Sequence, residues 1–199
     1  MNKKGIAAMI ITASVAAGAF SLSLNGAGPS VPPVSGTEAP IVTVQAASAP
    51  SASKLAKAVK KAYGNNYLPN YKLGKTDIKD KYGVASSLYS SAYVEVPMMS
   101  AQVDELVIFK AKNSASKKKI LSAVKKYQKN LKENTLQYPM NVFKIQASKV
   151  YTNGKYVCFF MLGGYVDSSL EENGSEEQII KAYQNMNKKA VNAVKASLK

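Results

Sequence analysis

Two adjacent acids, Asp104 and Glu105, head the stretch "VDELVIFKAKN", a β-branched and aromatic run in a chain otherwise crowded with lysine. Carboxylates are the side chains here best equipped for acid/base work, because all 27 Lys+Arg are lysine and histidine, arginine and tryptophan are absent. Without histidine no side chain titrates near neutrality by default, and Ser-His or Cys-His nucleophiles and imidazole metal sites are excluded. Without arginine there is no bidentate fork for phosphate, carboxylate or guanine. An A/T-rich coding bias would give the same lysine excess.

A hydrolase built on two carboxylates needs both acids at one substrate. On an extended strand successive side chains alternate faces. Glu105 therefore falls in phase with Val107, Phe109 and Ala111, and Asp104 with Leu106, Ile108 and Lys110. The two cannot pair with each other, and a distant acid such as Glu95 or Asp167 would have to help. Glu105 lies on the more apolar face, where a carboxylate needs a lysine, a helix N-terminus or backbone N–H groups. Structural pairing is the preferred reading. A pocket around Glu105, serving a small-ligand receptor or a carboxylate-based hydrolase, is the alternative.

Lys117, Lys118 and Lys119 are the second candidate interaction group, since cations in a first helical turn oppose the helix dipole and a bound anion would relieve them. Cys158, alone among aromatics in "YVCFFMLGG", reads as a buried thiol and cannot form an internal disulfide. The acidic run "DSSLEENGSEE" fails the EF-hand pattern, with Glu172 where glycine is required and Gln178 where a bidentate acid is required. It reads as a solvated loop before a capped helix. No catalytic residue, metal or cofactor is expected.

The elements that must position these groups follow from periodicity. Ser53 caps a helix through "KLAKAVKKAYG" ended by Gly64, and a short helix over "TDIKDKYG" starts at Thr76 or Asp77. "SLYSSAYVEVP" and "VDELVIFKAK" form an antiparallel pair. From Asn113 or Ser114 a long helix presents the stripe Ile120, Leu121, Val124, Tyr127, Leu131. "VFKIQASKVY" and "KYVCFFMLGGYV" are strands joined through Asn153-Gly154. Ser175 with Gln178 makes a capping box for the last helix, whose stripe runs from Ile179 to Leu198. The order α-α-β-β-α-β-β-α predicts one α+β domain: an antiparallel sheet of about four strands with helices mainly on one face.

Lys3 and Lys4 precede an uncharged apolar stretch from Gly5 to Leu24, so residues 1–24 read as an export signal, cut after Ala19 or Ala46, or as an uncleaved anchor. Residues 25–52, rich in Pro, Ala and Ser, read as an extended tether, and residues 53–199 as the globular domain. Without Lys3, Lys4 and Glu38 the exported part keeps 25 lysines and 11 acids, a net +14.

With the pieces placed, the D-E pair at Asp104 and Glu105, the Y-P at Tyr138 and Pro139, and the G-x-Y-V at Gly154, Tyr156 and Val157 resemble an uncharacterised family of exported bacterial proteins. It is known as domain of unknown function 4358 and is found mainly in Gram-positive anaerobes. The resemblance spans roughly residues 53–198 and implies an exported α+β domain but no activity. Many members carry a lipid-acceptor cysteine just after the signal, which this chain lacks there. The expectation is a secreted or surface-associated, non-enzymatic binding or accessory domain. Its basic face meets anionic wall polymer or membrane, it has no specific nucleic-acid partner, and any protein partner is unknown.

Overall fold

The computed structural model describes residues 49–199 except 100 and 135, so the expected export signal and most of the expected tether lie outside the described residues. Helix α1 (Ala52–Tyr63) is capped by Ser51, one turn-defining serine earlier than expected, whose hydroxyl accepts from Lys54 N–H. It buries Leu55, Ala56 and Val59 and stops at Gly64, where φ is +54°. Two residues of β1 (Tyr71–Lys72) follow, then α2 (Lys75–Tyr82), begun at Gly74 with Asp77 accepting the Gly74 N–H.

Strands β2 (Tyr89–Val96) and β3 (Glu105–Ala111) pair antiparallel, with Glu95 opposite Leu106 and Tyr93 opposite Ile108. Asn113 caps α3 (Ser114–Glu133) by accepting from Ser116 N–H, and α4 (Pro139–Gln146) starts with proline at its first position. Strands β4 (Lys149–Asn153) and β5 (Tyr156–Met161) make the hairpin marked by Asn153-Gly154, with Gly154 at φ +50°. The chain closes with α5 (Ser168–Asn173) and α6 (Glu176–Ser197), the latter held by the Ser175/Gln178 capping box.

The sheet is antiparallel throughout, in the order β1-β2-β3-β5-β4, and the α+β class holds. Several details differ from the sequence reading. The sheet has a fifth strand, β1, too short to leave an alternating pattern. The helices cover both faces rather than mainly one: Leu106 and Ile108 pack with α1 and α6, while Val107 and Phe109 pack with α2 and α3. That is why β3 and β5 read as continuous apolar runs, every residue of β5 being buried.

The third difference concerns 139–146, where part of a presumed strand, "VFKIQ", is helical. Pro139 fixes a helical φ at the first position, and one turn then sends Lys144 and Ile145 inward. The acidic run likewise holds a short helix, α5, with Asp167 as its cap.

Candidate functional site

Three buried carboxylates lie near the end of the sheet where β2 hands over to β3, on both of its faces, and each has its own lysine. Glu105 is 4% exposed. Its Oε1 accepts from Lys81 Nζ at 2.8 Å and Tyr127 Oη at 2.8 Å, and its Oε2 from Tyr82 Oη at 2.9 Å and Tyr127 Oη at 3.0 Å. The Lys81 ammonium also lies 5.8 Å and 5.6 Å from the ring centroids of Tyr82 and Tyr127. Burial, reinforced by the Glu105 charge, pushes the hydroxyls of Tyr82 and Tyr127 far above their ordinary range, so both stay protonated donors.

Asp104, fully buried, sits just before β3. Its Oδ2 accepts from Lys144 Nζ at 2.5 Å and its Oδ1 from Gly164 N–H at 3.0 Å. Lys144 is itself 2% exposed and faces the rings of Tyr165 and Tyr183 at 5.5 Å and 5.3 Å. The expectation that Glu105 alone needed a partner is therefore corrected. Because helices cover both faces of the sheet, the side opposite Glu105 is as dry as its own.

Glu95, on β2, takes Lys60 at 2.8 Å, Tyr67 Oη at 2.6 Å and Tyr93 Oη at 3.1 Å. Burial alone would lower the Lys60 pKa, but its bonds to Glu95 and Tyr93 hold it above the ordinary value. Glu95 stands opposite Leu106, one residue out of phase with Glu105, and its lysine comes from α1. Glu95 and Glu105 thus face opposite sides of the sheet and cannot flank one substrate. Asp167 caps α5 at the surface, and its bonds from Ser169 lower its pKa. Among the described residues no group of three or more His, Cys, Asp or Glu is placed to hold a metal.

Lys118 and Lys119 are exposed and Lys117 half-buried in the first turns of α3. They follow the far end of β3, so the structure separates them from Asp104 and Glu105 by the strand's length, roughly 20 Å at the usual rise per residue. The two predicted interaction groups do not form one site. Cys158 is fully buried, and burial raises its thiol pKa well above the ordinary value, as a structural thiol requires.

Glu105 and Lys81 floor a pocket of about 320 Å³. Its walls include Val96, Val103, Leu131 and Met161, and Met98 and Met99 form its rim. Those two methionines, in the β2–β3 connection, are 73% and 65% exposed. Lys81 also lines a neighbouring hollow with Lys126 and Asn130. A larger apolar hollow of about 510 Å³, lined by Phe143, Val166, Ile179 and Tyr183 with Glu171 and Glu176 among its polar lining residues, was not readable from the sequence. Its helix α4 had the pattern of a strand. Lys81 and Lys144 were equally hidden, one among many lysines and the other in that presumed strand.

The profile of the family described as Domain of unknown function (DUF4358) matches residues 62–162, a stretch that holds every residue lining the Glu105 pocket. No curated protein and no solved structure matches the chain.

Proposed function

The chain belongs to the DUF4358 family, whose description names no activity, and on that premise we propose an exported, non-enzymatic surface domain that associates with anionic wall polymer or membrane through lysine-covered helices. One observation carries this reading: the layer formed by α1 and α6 exposes lysines with few acids among them. Helices α1 and α6 pack side by side, joined by the Tyr63 hydroxyl donating to Met186 C=O at 2.6 Å. Their outer faces expose Lys54, Lys57, Lys61, Lys181, Lys188, Lys189 and Lys195, with no acid in α1 and none in α6 beyond Glu177.

The acids that could neutralise this layer lie elsewhere. Glu95, Asp104 and Glu105 are buried in their own ion pairs, Asp77, Asp80 and Glu133 lie on α2 and α3, and Asp167, Glu171, Glu172, Glu176 and Glu177 gather around α5 and the start of α6. Such a layer attracts polyanions through summed Coulomb terms without base or headgroup recognition, and salt screens it. No helix among the described residues is long and apolar enough to cross a membrane. Attachment to a surface would then come from the N-terminal segment or from this charge.

The purified domain is expected to sediment with vesicles of anionic phospholipid, and with wall polymer, at low salt and to release at high salt. The combined change Lys54→Glu, Lys57→Glu, Lys61→Glu and Lys188→Glu is expected to weaken binding at least ten-fold. Failure of the unmodified domain to bind either surface at low salt would sink the proposal.

A further inference from the structure

We infer that the pocket above the Glu105–Lys81 pair binds a small monocarboxylate carrying a short apolar chain. The charged donors left unspent at the pocket are those of Lys81. Three donors, Lys81, Tyr82 and Tyr127, cover both Glu105 oxygens, the single Tyr127 proton being shared between them, and at 4% exposure the carboxylate is closed to a further cation. Lys81 gives one of its three N–H donors to Glu105 and keeps the others, on a side chain 37% exposed. Glu105 and two aromatic rings fix the position of that ammonium before any ligand arrives, which lowers the ordering cost of binding. Lys126 in the adjoining hollow adds a second positive charge nearby.

The remaining lining is mixed: Gln102 and Gln137 are polar, and part of it suits hydrocarbon. Val96, Val103, Leu131 and Met161 line it, and Met98 and Met99 expose apolar, adaptable side chains at its rim. Its volume of about 320 Å³ is at the low end for ligand sites, enough for one short chain. Lys81 is already balanced by Glu105, so the charge that a singly charged head would match is that of Lys126 beside it. A doubly charged phosphate monoester would bring excess negative charge against Glu105. The pocket uses none of the α1 and α6 lysines, so this inference stands apart from surface binding.

Octanoate, octylammonium and octanol, titrated separately into the domain labelled at its methionine methyls, test it by NMR. Octanoate is expected to shift the Met98, Met99 and Met161 signals saturably, and Lys81→Gln to weaken it at least ten-fold while leaving vesicle binding intact. Octanol should bind more weakly and octylammonium not at all. Should Lys81→Gln fail to fold, the double change Met98→Ala, Met99→Ala in the exposed loop serves instead, with the Met161 signal as reporter and a several-fold loss expected. Non-saturating shifts with octanoate, binding of octylammonium as tight as that of octanoate, or unaltered affinity in the variant that folds would each overturn the inference.

Discussion

Asp104 and Lys144 meet in a place that neither water nor another counter-ion reaches. An ion pair of this kind gains little over an apolar pair of the same shape, but losing one partner strands the other charge in a dry site. Asp104→Asn is therefore expected to cost about 3–5 kcal/mol, read as a fall in the urea midpoint. The double change Asp104→Leu, Lys144→Met is expected to recover a large part of that loss. The tyrosines make a second prediction. Tyr82 and Tyr127 have folded-state pKa values raised above the ordinary value of 10.0, chiefly by burial. Below pH 10 both the folded and unfolded chains keep these protons and the contribution is fully present. Above it the unfolded chain loses them and the folded chain does not, so the unfolded state binds fewer protons and stability falls as pH rises. The urea midpoint should decline from about pH 10 upward, less steeply in Tyr82→Phe. At this scale strand phase was enough to show that Glu105 needs a partner. It could not identify that partner, because lysines are everywhere, and it hid the need of Asp104, because alternation says nothing when both faces are covered.

Local chemistry marked most elements well. Asn113, the Ser175/Gln178 pair and Asn153-Gly154 act where their side chains or φ angles require, since capping and tight turns depend on a few neighbouring residues. Asn113→Ala is expected to cost about 1 kcal/mol through the lost bond to Ser116 N–H, measured by thermal melting. The connection after β5 is held more rigidly. Gly163 has φ +128°, and a Cβ there would come 2.5 Å from Met186 Sδ on α6. Gly163→Ala is expected to cost roughly 2 kcal/mol or more from backbone strain and overpacking together. Helix α4 escaped the sequence reading for a physical reason: eight residues of "PMNVFKIQ" carry too few turns for helical periodicity to outweigh a β-rich composition. Its inward turn depends on Asp104, forty residues earlier, which no local pattern records.

The whole molecule carries lysine on both helical layers around a sheet that is apolar on both faces. Like charges so distributed repel in the folded state, so moving from about 0.05 M to 0.5 M salt is expected to raise the melting temperature while releasing the domain from polyanions. These opposite responses to one variable separate self-repulsion from partner attraction. Composition foretold the charge but not the acid-poor layer of α1 and α6, since three acids are drawn into the sheet end. The Gly164 N–H carries the last consequence. It is bonded to a carboxylate with no exposure, which also holds α4 through Lys144. Deuterium can replace that hydrogen only after strand end, helix and connection have parted, so its exchange rate is a clock for the opening of all three together.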